Sequence, residues 1–309
     1  MRIINNDSFL QLNDETAATI GFFDGVHAGH RFLLEQLKIQ ADAYKLPSMV
    51  ITFPQYPQSI LKAGFQPELL NTLDERLENL SLSDIDYCLL LDFTPSLSQL
   101  SAKEFIQKKL KEEWHVKLLL IGYDHRFGKN RAEGFDDYVK YGKECGMEII
   151  QAIELPGFPA SSTYIRNCLL KNKIEEANRM LSYFYRLEGK IIEGNHLGRK
   201  IGFPTANLEI NDKGKIIPGE GVYASLVSWK QKKYEGMVYI GKRPTITQHG
   251  EKRVEVHLFD FSGDLYGETL QVEFVEFLRE DKQFENVENL RKQLFVDRDE
   301  AHKALLNKI

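Results

Sequence analysis

The stretch Gly21-Phe22-Phe23-Asp24-Gly25-Val26-His27-Ala28-Gly29-His30 decides the fold of the first half of the chain. Its start overlaps a short apolar run at residues 19–23, which predicts a buried strand. Its end passes into a segment with helical spacing, in which four side chains fall near one face: Leu33, Leu37, Ala41 and Tyr44. A strand that enters a helix through a glycine-rich turn is the opening unit of an α/β domain.

Outward from this stretch, the first half continues to alternate between short apolar runs and helical segments. Further buried strands are predicted at residues 48–53, 87–93, 117–122 and 148–153. One intervening helix begins at Ser101, because Ser101 and Glu104 form a capping box. Such alternation favours a parallel sheet with right-handed crossovers, whose ligands sit at the carboxyl ends of strands. We therefore expect an α/β, Rossmann-like first domain over residues 1–180.

The second half of the chain has a different order of predicted elements, with strands following one another directly. Six strands are predicted, at residues 187–192, 206–210, 222–229, 234–240, 254–261 and 269–277. Most are separated by polar or glycine-rich turns instead of helix-length connections. We therefore expect a small antiparallel six-stranded β-barrel over residues 181–309, with one or two amphipathic helices from about residue 287 onward.

Composition excludes several classes of protein. At 309 residues the chain exceeds what one core usually organises, so two domains are expected. The formal net charge of −5, from 45 acidic and 40 basic residues, argues against a general nucleic-acid surface. We expect no transmembrane helix and, from residues 1–12, no secretory signal. Cys88, Cys145 and Cys168 are widely spaced, which predicts buried thiols in a reducing compartment and a cytoplasmic protein; the sequence leaves its oligomeric state open.

The pair His27 and His30 carries the chemistry of the opening stretch. Two imidazoles near a helix N-terminus, with Gly29 allowing close approach, can donate hydrogen bonds to phosphate oxygens. Such donors stabilise the charge that develops when the α-phosphorus of a nucleotide is attacked. From these residues alone, a glycine-rich turn whose histidines cap the helix is the other interpretation.

A second constellation lies at residues 194–207. Three glycines lie four residues apart in it: Gly194, Gly198 and Gly202. With Arg199 and Lys200 between the last two, the segment could form a flap over phosphates. The segment ends in Pro204-Thr205-Ala206-Asn207, and on an extended chain the oxygens of Thr205 and Asn207 face the same side, where they suit Mg²⁺ on ATP phosphates. Composition alone equally allows a generic loop.

The strand predicted at 254–261 carries alternating side chains. Val254, Val256 and Leu258 share one face, and the opposite face carries Arg253, Glu255 and His257. A glutamate in mid-strand is often only part of a solvated polar face, and that interpretation stays open from the pattern alone.

Residues 21–30 resemble the HxGH superfamily of nucleotidylyltransferases, and the GFFDGVHxGH form is similar to bacterial FAD synthetases. Residues 122–128 resemble that family's flavin-site loop, and residues 161–166 resemble its second ATP motif. The resemblance implies ATP binding at Gly21, Phe22, Asp24, Gly25, His27, His30, Ser161, Ser162, Thr163 and Arg166. It implies FMN binding at Asp124, His125 and Phe127. His27, His30 and Arg166 would be catalytic, although a helix start at 161–163 and a surface arginine are the alternatives from the residues alone.

Residues 194–207 resemble the riboflavin kinase signature, which residues 221–224, 243–245 and 253–261 continue. The resemblance implies ATP binding at Gly194, Gly198, Lys200, Gly202, Pro204, Thr205 and Asn207, with Thr205 and Asn207 as Mg²⁺ ligands. It implies riboflavin binding at Glu255 and Arg279. Glu255 would take the proton from the ribityl 5′-hydroxyl.

The chain departs from the family patterns at four places, and these departures bear on affinity. His125 stands where an aromatic residue is usual, and Tyr56 lies where a Pro-His-Pro turn is usual. Tyr239 replaces an asparagine, and Leu181-Ser182-Tyr183 replaces Leu-Gly-Arg. None of these changes removes a group assigned to phosphate chemistry.

The two resemblances together predict a bifunctional enzyme of flavin cofactor synthesis. The C-terminal domain would phosphorylate riboflavin to FMN, and the N-terminal domain would adenylylate FMN to FAD with release of pyrophosphate. The partners would be ATP, riboflavin and FMN, with Mg²⁺, and neither nucleic acid nor membrane. The alternatives are an HxGH nucleotidylyltransferase for another substrate and a flavin-binding regulatory module.

Overall fold

The computed structural model describes residues 1–5, 14–62, 64, 68–123, 125–158, 160–193, 198, 201–242, 252–306 and 308. The chain divides into two compact units, Met1–Ser161 and Ser162–Ile309. Residues 162–180, which the sequence boundaries assign to the first domain, belong to the second unit by their packing. The functional division into 1–180 and 181–309 stays a prediction.

The first unit is built on a six-stranded parallel sheet in the order β1-β4-β3-β2-β5-β6. Its strands are β1 (Arg2–Asn5), β2 (Thr16–Ile20), β3 (Ser48–Thr52), β4 (Tyr87–Leu90), β5 (Val116–Ile121) and β6 (Glu148–Gln151). The parallel sheet and five of its strands confirm the prediction. The edge strand β1 was not predicted, because it buries only Ile4 and has no readable alternation.

Helices cover both faces of this sheet. They are α1 (Ala28–Tyr44), α2 (Pro57–Leu61), α3 (Leu73–Ser81), α4 (Pro95–Ser98), α5 (Ala102–Glu104), a π-helix directly after it (Phe105–Glu113), a short 3₁₀-helix (Lys129–Arg131) and α6 (Phe135–Glu144). The central strands β2 and β3 are buried at every residue, as expected when both faces are covered. Two apolar clusters result, one around Trp114 and Tyr138 and the other around Leu34 and Leu37.

Local sequence signals account for where these helices begin. The predicted capping box at Ser101 forms, since the Glu104 amide donates to the Ser101 hydroxyl at 3.2 Å and the Ser101 amide donates back to the Glu104 carboxylate at 3.1 Å. In α1 Leu37 and Ala41 are buried as predicted, Leu33 is partly buried, and the neighbouring Leu34 is fully buried instead. Tyr44 does not lie on the inward face. That side chain is exposed, and its hydroxyl donates to Glu148 at 2.6 Å.

The second unit is a closed six-stranded barrel in the order β10-β11-β8-β7-β12-β9, with antiparallel pairing throughout. Its strands are β7 (Arg186–Ile192), β8 (Ala206–Glu209), β9 (Gly221–Trp229), β10 (Lys232–Lys242), β11 (Lys252–Leu258) and β12 (Thr269–Arg279). Helices α7 (Ser162–Leu170) and α8 (Ile174–Leu181) precede it, and α9 (Val287–Leu305) follows. The barrel, its six strands and the C-terminal helix confirm the prediction.

Ala301 and Leu305 of α9 pack onto the barrel with Phe203, Met237 and Phe259. Among the cysteines, Cys88 and Cys168 are buried free thiols as predicted, whereas Cys145 is only partly buried. Within the ranges given above, no helix combines the length and the apolar character needed to cross a membrane.

Candidate active sites

The loops after β2 and β5 lie side by side at one edge of the parallel sheet. β2 and β5 are hydrogen-bonded neighbours, and β3 lies on the other side of β2. The chain therefore leaves β2 at the point where the strand order changes direction, which is where open α/β sheets bind ligands. We call residues 21–27 the nucleotide loop and residues 125–128 the flavin loop.

The nucleotide loop has a backbone that side chains rarely adopt. Phe23, Gly25 and Val26 have φ angles of 57°, 85° and 37°, in the left-handed region. Gly25 adopts it freely, but for the two larger residues it costs about 1–3 kcal/mol each. Both are buried, and the Val26 amide donates to the Phe23 carbonyl at 3.1 Å, which holds the turn. Strain of this kind concentrates at functional sites.

The two histidines stack at the start of α1. Their ring centroids are 3.6 Å apart with an interplanar angle of 17°. His27 is the N-cap residue, and its Nδ1 accepts from the His30 amide at 3.3 Å. Because Nδ1 accepts, a neutral His27 carries its proton on Nε2, which is then a donor. Burial, and secondarily the proximity of His27, holds the pKa of His30 well below 6.5.

Asp24 anchors the nucleotide loop to the segment before α3. Its buried carboxylate accepts from the amides of Leu70 at 3.0 Å and Asn71 at 3.1 Å. These two hydrogen bonds satisfy a charge that would otherwise be costly to bury. Asp24 therefore fixes the loop, and its predicted role in binding ATP stays a prediction.

Arg76 on α3 lies beneath the same loop and is almost fully buried. Its guanidinium carbon lies 4.0 Å from the centroid of the Phe22 ring, and the group donates to the carbonyl of Phe53. Burial lowers the pKa of Arg76 to about 10, against the opposing effect of Asp24, so it is charged at neutral pH. Arg76 thus supports Phe22 and places a positive charge behind the loop.

Phe127 of the flavin loop is held by Tyr138 on α6. The two rings stack with centroids 4.3 Å apart and an interplanar angle of 13°. The Tyr138 hydroxyl accepts from the Phe127 amide at 3.1 Å and lies 3.1 Å from the carbonyls of Phe127 and Glu133. The His125 ring lies 6.1 Å from that of Phe127. Asp124 lies outside the described residues.

Residues 161–166 form the predicted helix start. Ser161 is the last residue of the first unit, and Ser162, Thr163 and Arg166 lie on α7, whose inner face buries Ile165. Thr163 is exposed and Arg166 is half-buried.

Five strands of the barrel bring one side chain each into a single row. Pairing register places Arg279 opposite Val222, Val222 opposite Tyr239, Tyr239 opposite Glu255, and Glu255 opposite Asn207. All five line one cavity of about 250 Å³. Residues opposite each other in a ladder face the same side, so the barrel gathers groups that are far apart in sequence.

Glu255 is held at the centre of this row. The Thr205 hydroxyl donates to its Oε2 at 2.9 Å, and the Arg253 guanidinium contacts Oε1. Next along the strand, His257 Nδ1 lies 2.7 Å from the Pro204 carbonyl, and burial lowers the pKa of that imidazole. Arg253, Glu255 and His257 all line the cavity, as their predicted common face requires.

The glycine-rich segment before β8 reaches this cavity at Gly198. A Cβ atom there would overlap the Phe203 carbonyl oxygen, and the Phe203 amide donates to the Gly198 carbonyl at 2.9 Å. Gly202 has φ of 87° and also requires glycine. Gly194, Lys200 and the triplet at 243–245 lie outside the described residues.

Two family models match the chain, one on each half. The FAD synthetase model matches residues 10–164, and the riboflavin kinase model matches residues 181–305. The bifunctional riboflavin kinase/FMN adenylyltransferase of Pseudomonas fluorescens is 36% identical over 91% of this chain and 90% of its own length. The chain belongs to this bifunctional family.

Further relatives carry the same name. The Haemophilus influenzae protein is 36% identical over 94% of both chains, and the Escherichia coli protein is 35% identical over 90% of this chain and 89% of its own. A crystal structure of a protein from Streptococcus pneumoniae, named as a macrolide-efflux protein, is similar over 98% of this chain and 99% of its own, with a TM-score of 0.87 and 30% identity. That structure supports the arrangement of secondary structure in both units.

One of the family departures lies in the wall of the barrel cavity, and another packs against the nucleotide loop. Tyr239 is opposite Glu255 in the cavity, and its hydroxyl bonds to Asp281; burial, and then this carboxylate, raise the pKa of Tyr239. Tyr56 packs edge-on against Phe22, with centroids 4.9 Å apart. In this member of the family each site therefore has a tyrosine at or beside its wall.

Arg76, Tyr138 and Asp297 support the sites but were not predicted from the sequence. Asp297 did leave a signal, because on α9 it falls at the helical spacing of Leu294 and Ala301, where an apolar residue is expected. Arg76 carries the same signal, because on α3 it lies three residues after Leu73 and four before Leu80, whereas nothing in the sequence marks the hydroxyl of Tyr138.

Proposed function

We propose that the chain makes both flavin cofactors: the second unit phosphorylates riboflavin with ATP, and the first transfers AMP from ATP to FMN. The kinase activity is supported by one observation above all: Glu255, Thr205 and Asn207 line the same cavity. The stacked histidines at the carboxyl edge of the sheet carry the transferase half. The family, in which relatives bear both activities in their names, supports both halves.

In the kinase, Glu255 is the general base. Thr205 and Arg253 fix the two carboxylate oxygens, so the group has one orientation in the cavity. It takes the proton from the 5′-hydroxyl as the alcohol oxygen attacks the γ-phosphorus, and ADP leaves. Because the Glu255 carboxylate is held in place, it can position the attacking hydroxyl, and positioning is most of what such a displacement requires.

The residues at the nucleotide side of the cavity fit Mg²⁺. Thr205 is exposed, and Asn207 lies beside Glu255 in the register, so two hard oxygen donors face the same region. Mg²⁺ is commonly held by one or two protein oxygens together with substrate phosphates and water. The ion would supply neutralisation of the phosphate charge. Gly194, Gly198, Lys200, Gly202 and Pro204 keep their proposed role in binding ATP.

In the transferase, a phosphate oxygen of FMN attacks the α-phosphorus of ATP, and pyrophosphate leaves. His27 donates from Nε2 at the N-terminus of α1, where the helix itself favours negative charge. Because the pKa of His30 is depressed, that ring acts as a neutral hydrogen-bonding group and not as a cation. Ser161, Ser162, Thr163 and Arg166 are proposed to bind ATP, and Asp124, His125 and Phe127 to bind FMN.

We also propose that the protein is cytoplasmic and that its partners are small molecules, without nucleic acid. The formal net charge of −5 supports the absence of a nucleic-acid partner.

The deciding experiment is a product assay by HPLC on the purified chain with riboflavin, ATP and Mg²⁺. FMN should appear first and FAD second. A second reaction, started from FMN, reports the transferase alone. If neither product forms, the chain is a nucleotidylyltransferase for another substrate or a flavin-binding module, and tight flavin binding without ATP turnover identifies the latter.

A further inference from the structure

An ion pair behind the wall of the kinase cavity joins Arg279, which the family resemblance assigns to riboflavin binding, to a carboxylate that has no role in the chemistry above. Asp297 on α9 is fully buried, and Arg279 at the end of β12 has a side chain 19% exposed. Arg279 donates from Nε to Oδ1 at 2.8 Å and from a terminal nitrogen to Oδ2 at 2.7 Å. Gln293 donates to the same carboxylate at 2.9 Å. The pair is bidentate, the geometry in which an arginine is held most rigidly.

Stability alone does not account for this pair. Removing a carboxylate and a guanidinium from water costs several kcal/mol, and apolar residues of similar size often serve a core as well or better. Asp297 also interrupts the apolar stripe of α9 that continues through Ala301 and Leu305. A function at the adjoining cavity is therefore the better explanation.

The hydrogen-bond donors of Arg279 indicate what that function is. A guanidinium has five N–H groups. Two go to Asp297, and a third, on the other terminal nitrogen, goes to the Glu280 carbonyl at 2.9 Å. Within the described ranges the remaining two have no partner, and Arg279 lines the cavity. The side chain is immobilised on one edge and has donors left for a ligand.

The closed barrel places Arg279 far from the reacting hydroxyl. In the six-strand ring β12 lies opposite β11, three neighbours away in either direction, and β11 carries Glu255. A ligand whose hydroxyl lies at Glu255 and which spans the cavity would bring its other end to Arg279. At that end the Phe284 ring centroid lies 5.8 Å from the guanidinium carbon of Arg279. The cavity lining also includes Leu290 and Leu294, so apolar surface is available for a flat aromatic ring.

Charge balance indicates the chemistry of that ring. Among the residues that the structure describes, five charged side chains line the cavity: Arg253, Glu255, Arg279, Asp281 and Lys282. Three are cations and two are anions, and Asp297 behind Arg279 supplies the third negative charge. A neutralised arginine with two free donors is matched to uncharged carbonyl acceptors instead of a phosphate.

We infer that Asp297 is a positioning residue for the acceptor substrate: it aims Arg279 at the carbonyl oxygens of the isoalloxazine ring, at the end of riboflavin remote from the 5′-hydroxyl. The inference rests on the riboflavin kinase activity proposed above. Asp297 itself does not touch the substrate.

The test is the kinetics of Asp297→Asn, which keeps the shape but loses the charge and one of the two acceptors. We expect KM for riboflavin to rise about tenfold, with kcat within twofold of the parent and KM for ATP unchanged, because binding shared by ground and transition states is lost. The inhibition constant of lumichrome, the ring without its ribityl chain, should rise by the same factor. Asp299→Asn is the matched control, since Asp299 lies on the exposed side of α9 and, among the described residues, forms an ion pair only with Arg298, at 3.4 Å.

A double-mutant cycle separates positioning from folding. Arg279→Gln should raise KM for riboflavin at least as much, and adding Asp297→Asn to it should have no further effect on KM. KM does not depend on the fraction of chains that fold, so the comparison of KM values remains valid even if a variant yields less folded protein. Equal lumichrome inhibition in parent and variant, or a loss confined to kcat, would overturn the inference. A parent protein that makes no FMN would instead overturn the proposed kinase activity.

Discussion

Replacing Tyr138 by phenylalanine tests whether the flavin loop must be held in place for FMN to bind. The change deletes one oxygen and keeps the ring, so the stack on Phe127 at 4.3 Å survives. The hydroxyl accepts from the Phe127 amide and donates to a carbonyl, either that of Phe127 or that of Glu133. The variant therefore loses two hydrogen bonds at the base of the loop and little else.

The expected magnitude follows from those two bonds. Each contributes about 1 kcal/mol net, so about 2 kcal/mol of loop ordering is lost. If FMN binding must restore that order, KM for FMN rises by at most about thirtyfold, since about 1.4 kcal/mol corresponds to a factor of ten. We expect a rise of about tenfold, with a smaller change in kcat.

The assay is FAD formation from FMN and ATP, with riboflavin phosphorylation by the same preparation as an internal reference. Tyr141→Phe is the matched control, because Tyr141 lies on the same helix and its ring contacts Lys103. An unchanged KM for FMN in Tyr138→Phe, with normal FAD formation, would refute the idea that Tyr138 positions the flavin loop. So would an equal loss in both activities.

Three further results are expected. Glu255→Ala should abolish FMN formation and leave FAD formation from added FMN, and His30→Ala should do the reverse; loss of both activities in either folded variant would refute separate sites. The pKa of His30 is lower in the folded chain than in the unfolded chain, so on acidification the unfolded chain takes up this proton at a higher pH than the folded chain does. The free energy of unfolding should therefore fall as pH drops below 6.5. Urea titrations at several pH values should show a smaller fall for His30→Asn. Gly128→Ala should destabilise the first unit by several kcal/mol, since φ is +87° and a Cβ would lie 2.6 Å from the Ala102 amide nitrogen. Gly146→Ala is the control, because Gly146 has φ of +69° with open space around it, so this variant measures the backbone cost alone. Equal melting temperatures for the two variants would contradict the clash at Gly128.

Local patterns were sufficient wherever one segment determines its own structure. The apolar runs predicted eleven of the twelve strands in the described part of the chain, and the capping box at Ser101 forms as its two residues require. The alternation around Glu255 correctly assigned Arg253 and His257 to its face. These signals depend on side-chain period and on contacts three or four residues apart, which a linear sequence contains.

Arrangement across strands was decided only by the folded chain. The row from Arg279 to Asn207 depends on the register of five strands, and no segment specifies its partner's register in isolation. Arg76 beneath Phe22 and Asp297 behind Arg279 are charged residues of types that are rarely buried, and their position among apolar residues of a helix does not show which groups they meet. Their burial depends on which surface each helix packs against. Sequence by itself therefore determined the strands and the fold class of each half, and its assignment of residues to phosphate binding stays a prediction. Tertiary packing decided which distant groups meet, because long-range contacts have no local period to reveal them.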